Sequence, residues 1–310
     1  MNGPARKPGA AEPLSAAPLP DRARVAARLN QRADLLDDHG HLHRVQLQRR
    51  TGDLVCGDRV ETDGRRILRR EPRRNALVRR DGFGRRKTIA AGVDRVWIVV
   101  AARPAPSRFL IDRFLVAIHN LPAEPRLLFN KCELDPEGPH RLDRQYGHLG
   151  LQALPVSVHE GIGLDALAEA AAGGSNILVG QSGTGKSSLI DALLRRDGHA
   201  PERALETASL GQSGEGRHTT TAARWYPLPG GGAWIDSPGV RDFTPELDDP
   251  ENLIRGFPDI ARCADACRFR DCHHAAEPGC AVREAVTAGE LPQERLLAWE
   301  ELGREIESAR

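Results

Sequence analysis

The stretch Gly180-Gln181-Ser182-Gly183-Thr184-Gly185-Lys186-Ser187-Ser188 matches G-x-x-x-x-G-K-[ST]. It leaves few folds open, because the motif works only between a strand and a helix. Before it, Asn176-Ile177-Leu178-Val179 reads as a short buried strand; after it, Leu189 to Arg196 is apolar at helical spacing. Glycines there let backbone N–H groups turn toward phosphate oxygens, and the helix N-terminus adds the positive end of its dipole. Lys186 then reaches the β- and γ-phosphates, and the Ser187 hydroxyl ligates Mg²⁺. An ordinary glycine turn is the bland alternative, and the flanking strand and helix argue against it.

Two further groups fit the same chemistry. Asp236-Ser237-Pro238-Gly239 follows a strand-like run, Gly232 to Ile235. Asp236 at that strand end can hold the Mg²⁺ shell, and the Gly239 N–H can meet the γ-phosphate. Between these and the phosphate loop, Gly216-Arg217-His218-Thr219-Thr220-Thr221 offers a hydroxyl to Mg²⁺ from Thr219 or Thr220. Upstream, Asn130-Lys131-Cys132-Glu133 resembles the N-K-x-D guanine clamp with Glu133 in the carboxylate place. A carboxylate accepts guanine N1–H and its amino group together, whereas adenine leaves it unpaired. A charged strand–loop junction is the plainer reading of these four residues. Ser157-Val158 stands where a backbone N–H approaches guanine O6.

The order of these elements is unusual. Guanine elements precede the phosphate loop and metal elements follow it, so the chain reads as circularly permuted. Val240 follows Gly239 where many GTPases place a water-orienting Gln. A valine cannot orient water; His218 is the candidate for that role, with Arg217 or a group from bound RNA as rivals.

Around these motifs strands and helices alternate: Val96–Ala101, a helix over Phe109–Ile118, Arg126–Phe129, a polar helix to about Gly147, Leu151–Val156, and a helix over about 163–172. Arg224–Leu228 and Gly232–Ile235 read as paired strands. The fold class is α/β, a doubly wound parallel sheet with ligand loops at the strands' carboxyl ends. Residues 22–90 read as a small β domain with turns at Asp38-His39-Gly40, Thr51-Gly52-Asp53 and Asp63-Gly64. An OB-fold barrel is the expected architecture.

Charge sets this segment apart. The chain is nearly neutral at +1, yet residues 21–90 carry +9, and 65–87 hold eleven basic residues against Glu71 and Asp81. Such a block points to a nucleic acid, with a solvated strand face as the alternative. Phe83 is its one aromatic residue, so backbone and shape contact with folded RNA is expected. Residues 1–21 are rich in Pro and Ala, lack a signal core and are expected to be a disordered tail. No apolar run approaches the roughly 20 residues of a membrane span, so a cytoplasmic chain is expected, and no membrane partner.

Four of the six cysteines fall between Cys263 and Cys280. In a reducing compartment such a cluster points to metal. Cys267-x4-Cys272-x-His274-x5-Cys280 supplies three thiolates and an imidazole, a closed tetrahedral set for one structural Zn²⁺. Cys263 and His273 are rival ligands. Cys56 and Cys132 stand apart and are given no chemistry.

Taken together, these motifs resemble the small-ribosomal-subunit biogenesis GTPases of the RsgA family over roughly residues 22–300. The resemblance implies an OB-fold at 22–90, a permuted GTPase domain at 91–245 and a helical zinc domain at 246–310. It also implies GTP hydrolysis stimulated by the small ribosomal subunit and its rRNA, late in subunit assembly; a monomer is expected. Glu133, Val158 and Ala91-Gly92-Val93-Asp94, where the family usually has Asn at the second place, are departures. A rival function is an RNA-binding assembly module whose nucleotide is structural; intact Lys186, Ser187 and Asp236 favour the enzyme. A metabolic P-loop kinase would leave the guanine elements and the basic segment unused.

Overall fold

The computed structural model describes residues 17–48, 51–80, 85–198, 223–237 and 250–308. Seven strands come first: β1 (Arg22–Leu29), β2 (Arg32–Leu36), β3 (Leu42–Gln46), β4 (Arg59–Thr62), β5 (Ile67–Arg70), β6 (Ala76–Arg80) and β7 (Arg86–Ala91). An alternation follows: β8 (Arg95–Ala101), α1 (Leu110–His119), β9 (Glu124–Asn130), α2 (Gly138–Tyr146), β10 (Ala153–Val156), α3 (Leu164–Ala171), β11 (Gly174–Val179) and α4 (Lys186–Arg196). Then come β12 (Arg224–Pro227) and β13 (Gly232–Asp236), and after them α5 (Pro250–Leu253), α6 (Pro258–Ala264), α7 (Ala281–Thr287) and α8 (Gln293–Ser308). No helix among the described residues is long and apolar enough to cross a membrane.

Two compact units share these elements. One comprises the described parts of Met1–Val93, Leu164–Leu178 and Gly185–Asp242; the other comprises those of Asp94–Gly163, Val179–Thr184 and Phe243–Arg310.

The first unit is β-rich at its N-terminal end. Antiparallel strands run in the order β3-β2-β1-β4-β5. Alternation sends Val25, Ala33, Leu35, Val45, Val60 and Ile67 inward, where they close on Leu54 in one core. Strand β2 carries no sequence punctuation, since Asn30 makes its turn with φ 52, a left-handed conformation asparagine tolerates. At Gly92 φ is +64, a left-handed conformation that glycine adopts without steric cost. The charged hairpin β6–β7 pairs antiparallel. Several arginines of the basic block are already engaged: Arg73 makes a two-pronged bond to the buried Asp58 at 2.7 and 2.8 Å. Arg69 grips Glu61 at 2.7 and 2.6 Å on an exposed face, where such a pair is worth little and can exchange partners.

This unit also carries β11 parallel to β13 and the antiparallel hairpin β12–β13. Strand β12 meets β1 at Ala27 opposite Arg224, and the Arg24 guanidinium lies 4.3 Å from the Trp225 ring centroid.

In the second unit β8, β9 and β10 form parallel pairs, β8 with β9 and β9 with β10. All but the first residue of β8 are buried, as a strand covered on both faces requires. The C-terminal helices pack on α1: Val116 joins Leu253, Phe257, Ile260, Val282, Leu296 and Leu302 in one core. Gly256 permits this approach, because a Cβ there would lie 2.4 Å from Val116 Cγ2.

A buried ion network crosses the same interface. Arg295 is fully buried; its Nε and Nη2 donate to Asp259 at 2.8 Å each, its Nη1 donates to Asp112, and its guanidinium carbon sits 4.2 Å from the Phe257 ring centroid. Tyr146 donates to Asp112 at 2.9 Å, and His148 Nε2 stands 2.8 Å from Asp259. Burial pushes the Asp259 carboxyl up, but the Arg295 hydrogen bonds and charge outweigh it and hold the group at about 2. For Asp112 burial wins, and its carboxyl is raised despite the same arginine.

Candidate nucleotide and metal sites

Geometry at the phosphate loop depends on glycine. Gly180 has φ +138, and a Cβ there would fall 2.3 Å from the Val99 carbonyl oxygen of β8. No L side chain fits, so the first residue of the loop lies directly against Val99. Gly183 and Gly185 also adopt left-handed φ, 83 and 91, which turns the chain into α4. Within the loop the Thr184 hydroxyl donates to the Gln181 carbonyl at 3.0 Å, and the Gln181 side chain accepts the Ser107 N–H at 3.0 Å. The first helical bond of α4, Leu189 N–H to Gly185 C=O, is 2.9 Å.

The guanine elements lie at the ends of β9 and β10. Asn130 closes β9 and donates through Nδ2 to the Thr184 carbonyl at 2.8 Å. Lys131, at left-handed φ 58, donates through Nζ to the carbonyls of Gly183 at 2.8 Å and Arg103 at 2.7 Å. Cys132 and Glu133 continue as one 3₁₀ turn. Two buried atoms are orphans: Asn130 Oδ1 and Glu133 Oε2 have no hydrogen-bond partner. Buried polar atoms are seldom left so, and a base edge would satisfy both. After β10, Ser157 and Ile162 exchange backbone bonds of 3.0 Å, and Ser157 Oγ accepts the Glu160 N–H at 3.0 Å, which fixes the turn bearing Val158.

In the other unit Lys186, Ser187, Asp236 and Ser237 line a small cavity with Leu178, Ile190 and Ile235. Lys186 is 6% exposed at the first turn of α4. The Ser187 hydroxyl and the Asp236 carboxylate on one cavity are the hard oxygen donors Mg²⁺ takes. The proposed roles of Thr219, Thr220, His218 and Gly239 fall outside the described residues.

Residues 70–246 match the sequence model of the RsgA GTPase family. The chain belongs to that family. Its members are GTP hydrolases, and this RsgA-family chain is a P-loop GTPase. YjeQ from Thermotoga maritima is similar in structure, with TM-score 0.74 and 26% identity over 94% of this chain and 99% of that one. YloQ, a circularly permuted GTPase, superposes with TM-score 0.71 at 22% identity over 95% and 96% of the two chains, a likeness of fold. The mixed α/β architecture with a β-rich N-terminal region is therefore the RsgA-type fold.

At the C-terminal end, the ligand atoms of Cys267, Cys272, His274 and Cys280 all lie within 4.8 Å of one another. His274, at left-handed φ 61, turns Nδ1 to 3.7 Å from Cys267 Sγ and 3.4 Å from Cys280 Sγ. Burial lowers the His274 pKa, so its ring is neutral and able to ligate. Burial likewise pushes the metal-free Cys272 thiol up to about 11. Three soft sulfurs and one imidazole at tetrahedral spacing fit a metal such as zinc. Of the rivals, Cys263 packs against the neighbouring core and His273 is exposed, and neither joins this group. Residue Glu277, unmarked in sequence as a site residue, holds the loop: its carboxylate accepts the N–H groups of His273, Ala275 and Ala276 at 2.9, 2.9 and 3.0 Å. Those backbone bonds lower its pKa to about 2.

Proposed function

We propose that this GTPase hydrolyses GTP on the small ribosomal subunit and acts late in that subunit's assembly. The observation that supports it most is the pair of buried orphan oxygens, Asn130 Oδ1 and Glu133 Oε2, with Asn130 tied to the phosphate loop through Thr184. In this reading they accept hydrogen bonds from the guanine edge, and Lys186 and Ser187 take the phosphates. Ser187 and Asp236 hold Mg²⁺, which when bound neutralises charge on the β- and γ-phosphate oxygens. Lys131 packs across the loop and keeps Gly183 in place. Gly180 to Ser188 wrap the phosphates, Cys132 spaces the clamp, Ser157-Val158 meet guanine O6, and Gly239 with Thr219 or Thr220 completes the triphosphate end. His218 orients the attacking water once the subunit is bound.

The basic strands of 22–90, an OB-fold in this reading, contact rRNA through arginines whose exposed ion pairs exchange for phosphate. Residues 91–245 form the permuted GTPase domain. Residues 246–310 form a helical domain held by one structural Zn²⁺ on Cys267, Cys272, His274 and Cys280. The protein works as a cytoplasmic monomer. GTP favours the subunit-bound form and hydrolysis releases it.

Co-sedimentation with purified small subunits, in GDP or in a non-hydrolysable GTP analogue, tests this reading. Retention with the analogue and release with GDP is the expected result; equal sedimentation in both would sink it. Phosphate release by His218→Ala, with and without subunits, checks the water-orienting role, and unchanged stimulated turnover would remove it.

A further inference from the structure

The loop between the first two zinc-type ligands carries a feature that neither metal binding nor nucleotide hydrolysis uses. Four large apolar side chains are exposed among the described residues: Leu68, Leu134, Ile162 and Phe269. Phe269 is the one aromatic among them, 42% exposed. It stands between Arg268 and Arg270, both exposed. The Arg268 guanidinium lies 5.5 Å from the Phe269 ring centroid, close enough to share a stacking partner.

Local charge runs against its surroundings. Residues 250–308 hold seven arginines and no lysine against twelve acidic residues. Two of those seven flank the exposed ring. The loop's base is bonded to the rest of the unit while its tip is exposed. Arg268 N–H donates to the Gly279 carbonyl at 3.0 Å, and Cys267 and Cys272 pack against the C-terminal core. Gly279, at φ +72, lets the Arg268 Cβ approach to 3.1 Å of where its own Cβ would stand. A rigid stem, an exposed ring and two adjacent guanidiniums form a stacking platform with phosphate clamps.

We propose that Arg268-Phe269-Arg270 is a second RNA contact, in which Phe269 stacks on an unpaired base and the two arginines hold the neighbouring phosphates. It differs in kind from the basic β-rich segment, which has no such ring among its described residues and whose arginines are proposed to meet RNA phosphates. The inference rests on the RNA part of the function proposed above, and it concerns unpaired RNA specifically. A ring reaches a base face only where the base is already out of a helix.

The test uses the full-length, zinc-loaded chain and two probes: a short single-stranded RNA bearing one fluorescent purine analogue, and a duplex of the same length. Phe269→Ala is expected to weaken the single strand about tenfold and to abolish quenching of the purine, with duplex binding unchanged. Phe269→Trp retains both signals, whereas Phe269→Leu, which keeps apolar bulk, loses the quenching. Replacing both Arg268 and Arg270 by Ala lowers affinity and flattens the salt dependence. Unchanged zinc content and helical circular dichroism certify each variant. Single-strand binding by Phe269→Ala equal to the parent overturns the proposal. So does an equal loss on strand and duplex. Loss of subunit co-sedimentation with intact single-strand binding also overturns it, since the ring then meets a protein. Co-sedimentation by the unaltered chain tests the wider reading separately.

Discussion

The side chain of Asn130 donates to the main chain of Thr184 at 2.8 Å, so the end of β9 is bonded to the phosphate loop some fifty residues later. Its second polar atom, Oδ1, is buried without a partner. One amide therefore bonds the loop with its nitrogen, and its oxygen is the atom proposed above to meet the base. Asn130→Ala should weaken GTP by about 1–3 kcal/mol, the cost of unsatisfied buried groups. Fluorescent-nucleotide titration checks this; an unchanged Kd would show that the amide is not read by nucleotide.

Glu133 tests base choice. Its carboxylate accepts, whereas guanine at N1 and the amino group donates. Glu133→Gln should lose affinity for GTP and gain for xanthosine triphosphate, whose N2-side oxygen accepts a hydrogen bond. Competition between the two nucleotides measures it, and a parallel loss for both would place Glu133 outside the base site.

Lys186 is the charge proposed to meet the phosphates. Lys186→Ala should lower GTP hydrolysis by about a hundred- to a thousandfold, the usual cost of removing one preorganised donor to developing charge. Single-turnover phosphate release is the readout, with circular dichroism confirming the fold.

Metal removal should act on the C-terminal core. Cys280 packs with Val282, Leu296 and Leu302, and directly precedes α7. A chelator should strip one zinc per chain and lower Tm, with about 4–8 °C lost per kcal/mol for a domain as small as 246–310. Added zinc should restore it. A Tm indifferent to chelation would leave the four ligands without a structural role.

Arg295 answers two buried carboxylates at once. Arg295→Met should cost about 3–5 kcal/mol, because Asp112 and Asp259 would keep their burial and lose their counter-charge. Urea denaturation measures the loss. Asp259→Asn in the same background should recover part of it by removing one stranded charge.

The Asp259 carboxyl is held at about 2, below its ordinary 3.8, by Arg295 and His148 against the pull of burial. A folded-state pKa below the unfolded one means stability that is complete above about pH 4 and lost as pH falls toward 2. Burial raises Asp112, which gives the opposite slope and partly offsets this. Asp259→Asn should flatten the acid limb of the stability curve relative to the parent. Identical limbs would show that Asp259 is not the group responsible.

Much of the candidate site was legible because the chemistry proposed for it demands contiguous residues. The glycines of the phosphate loop, Asn130 with Lys131, and the spacing from Cys267 to Cys280 are local patterns with few alternative uses. Strand β2 was not legible, since its turn at Asn30 carries no glycine or proline. Nor was the stabilising role of Glu277, which looks like any surface glutamate until its carboxylate is seen to accept three backbone N–H groups. Basic residues between 65 and 87 all read alike in sequence, yet Arg73 is committed to Asp58 and Arg69 sits in an exposed, exchangeable pair.

By itself the sequence determined the motifs, their reordered succession and the alternation of strands and helices, because each depends on spacing along the chain. Only the tertiary structure decided which partners those residues found. The Asn130 bond to Thr184, the crowding of Gly180 against Val99 and the burial of Arg295 between Asp112 and Asp259 join residues far apart in the chain. Such contacts are set by the free energy of packing whole elements together, which no local pattern encodes.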